Sequence, residues 1–485
     1  GPITQDNTGV EFYGNIFAGE ESEQEEGVIW TGSDDGLVHV TRDGGKTWKN
    51  VTPPISPKQN MINCIDVNPH KNGAAYVAAT SYKFGDYTPY LYKTDDYGET
   101  WKLITNGIKS TNYTRAIRAD LTRPGLLYAG TEWGMYVSFD DGDSWQPFQL
   151  NLPIVSIRDL HVKNNDLIAA THGRSFWLID DLTPLHQLSD EVAKSDYFLY
   201  KPKDSYRMQS GGRGGSKSVG ENHPNGVMFN YYLKALNEND NVSLHILEMN
   251  GDTIQTFSNH SEDRKTKLIA KSGGNAFVWD MRYPGFTEFE GMILYSSPNN
   301  GPKAVPGTYK AVLSVNNESV AQEFNIVKDP RLPNTSEDYQ KQFDYLISVR
   351  DKVSEAHEAM IRVSKTRDIL ENVKEKVGEK KSTQEVLELV NSLGKDMAVI
   401  ENNIHMTKNQ SYQDPLNFGI RINNRIAFLM ADQQRGDYPP TDQAVAFRDE
   451  VFKELDKELL NLNALLNEKV TEINQKLAQL GIKMN

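Results

Sequence analysis

Thr41-Arg42-Asp43-Gly44-Gly45-Lys46-Thr47-Trp48, Thr94-Asp95-Asp96-Tyr97-Gly98-Glu99-Thr100-Trp101 and Ser138-Phe139-Asp140-Asp141-Gly142-Asp143-Ser144-Trp145 are three copies of one pattern, Ser/Thr-x-Asp-x-Gly-x-Ser/Thr-Trp. A repeat every few tens of residues marks an array of supersecondary units. Each copy joins two strand-like runs, so the units are four-stranded sheets, the blades of a β-propeller. The residue types follow from the demands of a tight turn. The Asp accepts hydrogen bonds from backbone N–H groups of its own turn, and the Gly supplies a positive φ. The closing Trp is large and apolar and is expected to bury itself between neighbouring sheets.

Working outward, the first blade reads as Glu11–Ala18, Val28–Gly32, Leu37–Thr41 and Thr47–Val51. The second reads as Ile62–Val67, Ala74–Thr80, Tyr90–Lys93 and Thr100–Ile104, and the third as Ala116–Asp120, Leu126–Gly130, Met135–Phe139 and Ser144–Phe148. A fourth begins with Ile157–Val162, Asp166–Thr171 and Ser175–Asp180 and has no copy of the turn and no outer strand. Propellers close with about 4–8 blades, so this array is expected to be a partial propeller. The partner expected for it is an N-terminal propeller portion of the same precursor, on the same or a separate chain.

The repeated turn resembles the Asp box, or BNR repeat, of sialidases and sortilin-like proteins. The resemblance extends to Pro2-Ile3-Thr4-Gln5-Asp6-Asn7-Thr8-Gly9, Trp30-Thr31-Gly32-Ser33-Asp34-Asp35-Gly36-Leu37-Val38 and Thr171-His172-Gly173-Arg174-Ser175-Phe176-Trp177. Together these stretches look like the C-terminal half of large sortilin-like, BNR-repeat bacterial proteins often labelled glycosyl hydrolase. The resemblance implies a longer precursor that is secreted or held in the bacterial envelope, in the periplasm or on the outer-membrane surface. It implies no known reaction. In those families the box lies on blade edges, so Asp43, Gly45, Trp48, Asp96, Gly98, Trp101, Asp140, Gly142 and Trp145 are read as structural.

The 485 residues are enough for several domains, and the 24 % charged and 38 % hydrophobic composition suits a globular chain. A formal net charge of -14 argues against nucleic acid, whose phosphates need a basic surface. No apolar run reaches the ~18 residues of a transmembrane segment. Cys64 is the sole cysteine, which excludes an internal disulfide and a cysteine metal cluster. It lies in the apolar run Met61–Ile65 and reads as a buried thiol.

Residues 1–185 are therefore read as the partial propeller and 186–227 as a linker, which includes Gly211-Gly212-Arg213-Gly214-Gly215. From 228 to 330 the pattern alternates, with turns at Asn250-Gly251 and Asn316-Asn317 and core aromatics at Trp279 and Tyr309. This span is expected to be an Ig-like β-sandwich. From 336 to 485 the apolar period is helical, and an antiparallel helical bundle is expected. Helices are expected from Ser336, near Ser382 and near Asp414-Pro415. The last helix of the chain carries the seam Phe452, Leu455, Leu459, Leu462, Leu466, Ile473, Leu477 and Leu480. His357 and His405 have no ligand-spaced partner and are read as neither metal nor cofactor sites.

In a blade, the turn between strands two and three lies opposite the turn between strands three and four. The repeated turns occupy the latter, so the former share a mouth with the loops that link blades. That reasoning places Asp34, Asp35, Tyr82, Asp86, Tyr87, Tyr90, Glu132, Trp133, His172 and Arg174 on one candidate binding face. Acids, aromatics, a His and an Arg converging there suit a peptide, protein or glycan ligand. The three arginines, Tyr-Glu pair and Arg-Ile-Pro motif of sialidases are not assembled in this chain, and no cofactor or metal is implied. The reading is a non-catalytic binding or scaffold protein of the cell envelope. Two alternatives stand beside it: a glycan-active hydrolase or lyase sharing its site with missing blades, and a sortilin-like peptide receptor.

Overall fold

The computed structural model describes residues 14–208, 220, 222–378 and 380–482. The Pro2–Gly9 motif, the start of the expected first strand and the Gly211–Gly215 loop lie outside them. The chain divides into two compact units, Gly1–Lys194 and Ser195–Asn485.

In the first unit, each repeated turn is closed by the same side-chain network. In the middle copy the Thr94 hydroxyl donates to Asp96 Oδ1 at 2.9 Å and accepts the Gly98 N–H at 2.9 Å. Asp96 in turn accepts the Thr100 N–H at 2.9 Å and the Thr100 hydroxyl at 2.6 Å. Thr41, Asp43, Gly45 and Thr47 repeat these bonds, as do Ser138, Asp140, Gly142 and Ser144. The glycines have φ of +87°, +79° and +88°, a backbone region that penalises any side chain.

The turns organise up-and-down antiparallel sheets. Blade one is β1 (Ile16–Glu21), β2 (Ile29–Ser33), β3 (Val38–Thr41) and β4 (Lys49–Asn50). Blade two is β5 (Met61–Val67), β6 (Ala75–Ser81), β7 (Asp86–Thr94) and β8 (Lys102–Leu103). Blade three is β9 (Thr114–Ala119), β10 (Leu127–Thr131), β11 (Gly134–Ser138) and β12 (Gln146–Pro147). In each, sequence order is sheet order, the meander of a propeller blade. A three-stranded sheet follows: β13 (Ile157–Lys163), β14 (Asp166–Thr171) and β15 (Phe176–Ile179). Each first strand contacts the next, β1 with β5, β5 with β9 and β9 with β13, and each carries a register shift near its start. The unit is a partial propeller of three full blades and one three-stranded blade.

Two hydrogen-bond patterns define its faces. Gly44, Tyr97 and Asp141 in the repeated turns donate N–H bonds to Gly27, Gly73 and Gly125 in the turns between strands one and two. At the other end Asp34, Glu132 and His172 donate to Asn15, Tyr113 and Ser156, just before the first strands. The second set forms the mouth. In place of a fourth outer strand, the last blade runs into the short helix α1 (Thr183–Gln187). Leu182 is buried there, and His186 and Arg123 tie the segment to blade three.

The closing tryptophans do not behave uniformly. Trp145 is buried and Trp101 is partly buried, but Trp48 is 44 % exposed. The expectation that each is buried between sheets fails for Trp48, because no described sheet lies on the outer side of blade one.

The second unit corrects the linker reading. After α2 (Asp190–Lys194), which closes the first unit, residues Tyr197–Leu199 form β16 and Ser205–Arg207 form β17. Both belong to sheets. One sheet has the order β16, β18 (Val227–Leu233), β21 (Gly273–Trp279). The other has the order β17, β23 (Glu318–Lys328), β22 (Gly307–Val315), β19 (Val242–Leu247), β20 (Thr253–Ser258). β17 pairs with β23 in parallel, and the other pairs are antiparallel. The sheets share one core containing Phe229, Tyr231, Trp279, Tyr309 and Phe324, so the fold is a β-sandwich. Its two short strands escaped notice because three residues are too few for an alternating signal.

Four long helices follow: α3 (Ser336–Val377), α4 (Gln384–Ile404), α6 (Ile422–Gln433) and α7 (Asp442–Gln479), with α5 (Pro415–Phe418) as a single turn before α6. α3 starts from a capping box between Thr335 and Asp338. Val353, Leu393, Ile426 and Leu455, one from each long helix, lie in one core. Of the α7 seam, Leu455, Leu459, Leu462, Ile473 and Leu477 are buried, Phe452 and Leu466 pack at its margin, and Leu480 lies past the helix end. Among the described residues, no helix is long and apolar enough to cross a membrane.

Candidate functional site

Arg115, the second residue of β9, is the centre of the mouth. Its guanidinium is 6 % exposed and reaches the Glu132 Oε2 atom through Nε at 2.9 Å and through Nη2 at 2.8 Å. Nη2 also donates to the Tyr113 hydroxyl at 3.2 Å. The Tyr82 and Tyr113 rings stack with centroids 5.2 Å apart, and the guanidinium carbon lies 4.6 and 4.9 Å from their centroids. A buried cation against an aromatic pair gains both cation–π attraction and exclusion from water. The Ser156 hydroxyl donates to the same Glu132 oxygen at 2.8 Å, which joins the start of β13 to the cluster.

The electrostatics follow from this geometry. Burial raises the Glu132 pKa, but hydrogen bonds from Ser156 and Arg115 and the charge of Arg115 outweigh it and hold the carboxyl below its usual range. Burial likewise opposes the Arg115 charge, and Glu132 more than compensates. A carboxylate held ionised by Arg115 and Ser156 is a poor general acid. It is a good rigid support. The apolar planes left open beside it are Tyr87, 53 % exposed with its ring 5.8 Å from that of Tyr113, and Trp133, 57 % exposed. Exposed aromatic planes of this kind stack on sugar faces and on apolar side chains.

The structure gathers only part of the expected face. Tyr82, Tyr87 and Glu132 share the cluster, with Trp133 next in the chain. His172 is joined through its backbone to Ser156 and through its ring to Arg158. Arg174 is exposed; its guanidinium donates to the local Gly173 carbonyl, and its own carbonyl accepts the Trp177 indole N–H. Asp34 and Asp35 serve the β2–β3 turn instead: Asp34 accepts the Gly14 and Asn15 N–H groups at 2.7 and 2.9 Å, and Asp35 accepts the Ser33 hydroxyl. Asp86 accepts the Tyr90 hydroxyl at 2.6 Å and the Thr88 N–H at 2.9 Å, and the Tyr90 ring stacks on Tyr92. Arg115, Tyr113 and Ser156 were absent from the expected set. Asn112-Tyr113-Thr114-Arg115 directly precedes and opens an inner strand, and that position was the available signal.

A second polar cluster lies along the inner strands. Arg118 of β9 reaches Asp159 of β13 at 3.1 Å, Asp66 of β5 at 3.5 Å and the Cys64 sulfur at 2.8 Å. Asp66 also accepts the Ala119 N–H at 2.7 Å. Glu20, Asp66, Arg118 and His161 line a cavity of about 220 Å³ here. Burial pushes the Asp66 carboxyl up to about 7 against the opposing charge of Arg118, and it pushes the Cys64 thiol up to about 11. Among the described residues, no group of three or more His, Cys, Asp or Glu is placed to hold a metal ion.

No protein-family model and no curated protein matches the chain. Solved structures that it resembles include YCF48 from Cyanidioschyzon merolae, at 18 % identity over 47 % of this chain and 69 % of that one, with a TM-score of 0.27. YCF48 bound to D1 peptide is 14 % identical over 64 % of this chain and 82 % of that one, with a TM-score of 0.28. The GH74 xyloglucanase from Xanthomonas campestris is 13 % identical over 64 % of this chain and 45 % of that one, with a TM-score of 0.29. Likenesses this weak carry no functional argument; the blade assignment stands on the strand order and the repeated turns.

Proposed function

We propose that the propeller mouth is a non-catalytic binding site for a peptide, protein or glycan, in a scaffold or binding protein of the bacterial cell envelope. The propeller is completed by an N-terminal portion of the same precursor, and the sandwich is an Ig-like accessory module. The observation that carries this reading is the presence of two exposed rings, Tyr87 and Trp133, at a mouth where the Glu132 Oε2 atom is held by Arg115 and Ser156. Such a site offers apolar surface on a rigid support. The test is binding of the full chain to glycan and peptide arrays, beside Tyr87→Ala, Trp133→Ala and Arg174→Ala. Binding that these substitutions weaken about 10-fold or more, with no turnover of the bound compound, supports the reading. Binding unchanged by all three sinks it.

One observation favours the glycan-active alternative. Asp66, with a carboxyl near pKa 7, shares a cavity with Glu20, and a carboxyl tuned in this way can exchange a proton near neutrality. Glycan turnover abolished by Asp66→Asn and retained in Trp133→Ala would establish that reading instead.

A further inference from the structure

The flank of blade one repeats, empty among the described residues, an interface that the array builds twice. Trp101 donates its indole N–H to the Val51 carbonyl at 2.7 Å, and Trp145 donates to the Ile104 carbonyl at 2.7 Å. Val51 and Ile104 occupy one position, the residue after a blade's outer strand. The glycine of the next repeated turn packs on the same residue. A Cβ on Gly98 would lie 2.6 Å from Val51, and one on Gly142 would lie 2.6 Å from Ile104. Each turn thus clasps the preceding blade through a Trp N–H and a side-chain-free glycine.

Among the described residues, nothing fills the clasp of blade one. Trp48 is 44 % exposed, and only the Trp48 ring lies within 4 Å of where a Gly45 Cβ would stand. The inner strand tells the same story. Ile157, at the register shift that opens β13, is fully buried, and a Cβ on Gly130 of blade three would lie 2.7 Å from it. Ile16 stands at the matching shift in β1 and is 71 % exposed, with Phe17 beside it at 59 %.

We infer that Ile16, Gly45 and Trp48 form a docking seat for one further blade of this same repeat. Its occupant is defined by the two filled seats. It carries a Val or Ile after its outer strand, whose carbonyl accepts the Trp48 N–H and whose side chain fills the space over Gly45, and a small second-strand residue to receive Ile16, as Gly32 receives Ile62 and Gly130 receives Ile157. This inference rests on the reading of the array as an incomplete ring and is independent of what the mouth binds.

Blade one itself has both features the occupant needs, Gly32 and Val51, so a second copy of it is the probe. One protein is the full chain; the other carries residues 16–60 duplicated immediately before Ile16, with Trp48→Phe in the added copy. In the full chain, Trp145→Ala should lower Tm by several degrees, while Trp48→Ala leaves Tm within about 1 °C. Acrylamide should quench the fluorescence lost in Trp48→Phe. In the extended chain that fluorescence should become protected, and Trp48→Ala should lower Tm much as Trp145→Ala does. Trp48 shielded in the unextended monomer overturns the inference, as does Trp48 still quenched in a folded extended chain. A concentration-dependent dimer that shields Trp48 overturns it in favour of a second copy of this chain. Array binding unchanged by Trp48→Ala leaves the mouth reading standing whichever way the seat is decided.

Discussion

Arg115 and Glu132 meet at a single carboxylate oxygen, through a hydrogen bond from Nε at 2.9 Å and an ion-pair contact of Nη2 at 2.8 Å, with the guanidinium almost wholly out of water. Removing one member of a buried pair strands the other, which is worse than removing both. Glu132→Ala is therefore expected to destabilise the first unit by about 3 kcal/mol. Arg115→Met should be milder, since Glu132 keeps Ser156 and some solvent. In a double-mutant cycle read by urea unfolding, the pair should couple by at least about 1 kcal/mol; additive single effects would contradict the geometry. Glu132→Ala is consequently a poor probe of binding, and Trp133→Ala a better one.

The repeated turns make a prediction in acid. Hydrogen bonds from the Thr47 hydroxyl and backbone, with a further bond from Thr41, hold the Asp43 carboxyl down at about 2. A depressed carboxyl pKa stabilises the fold above its unfolded value and loses that contribution as pH falls through its folded value. The turn should thus loosen between about pH 4 and pH 2. Thr47→Val deletes one donor and should move the Asp43 titration, followed by NMR, upward toward 3.8. An unchanged midpoint would show that the hydroxyl bond is not made.

Much of the propeller was legible because its turn chemistry is local. Thr94, Asp96, Gly98 and Thr100 meet within seven residues, so the pattern alone encodes the contact. The mouth was legible only by face. Which side of a blade a turn occupies follows from topology, but whether Asp34 points at a ligand or holds the chain entering β1 depends on the Gly14 and Asn15 backbone. Arg115 of β9 and Ser156, just before β13, meet Glu132 of the β10–β11 turn across two blades, and no spacing in the chain announces such a meeting. The bundle shows the same limit: His357 and His405 lacked a partner in sequence, yet Asn423 joins them.

That junction carries its own pH dependence. His357 Nδ1 lies 2.6 Å from the Thr287 carbonyl oxygen, so it is the protonated nitrogen. The Asn423 amide then donates one hydrogen to His357 Nε2 and the other to His405 Nδ1, each at 3.1 Å. Both imidazoles must be neutral, because protonating either acceptor would set N–H against N–H. Burial depresses both, His357 to about 4. For a histidine depressed in the fold, stability is present above 6.5 and is lost as pH falls toward 4. The second unit should melt lower at pH 5 than at pH 7.5. Asn423→Leu, which leaves both rings unpartnered, should cost about 2 kcal/mol at pH 7.5. A thermal midpoint independent of pH over that interval would refute the neutral-pair assignment.

Asp66 should respond in the opposite sense. Its carboxyl is raised to about 7 because burial outweighs the attraction of Arg118, 3.5 Å away, and the hydrogen bond from the Ala119 N–H. A raised carboxyl pKa stabilises the fold below the unfolded value, near 3.8, and that contribution is lost as pH climbs to 7. Asp66→Asn keeps an oxygen to accept the Ala119 N–H and removes the buried charge. It should therefore raise stability by about 1–2 kcal/mol at pH 8 and change it little at pH 4.5, where Asp66 is already protonated. Arg118 retains Asp159 in the variant, so its own charge is not stranded. Urea unfolding of the first unit at both pH values decides the matter. Destabilisation at pH 8 would mean that Asp66 is ionised and paired with Arg118 after all, and the case for a neutral-pH proton donor in that cavity would go with it.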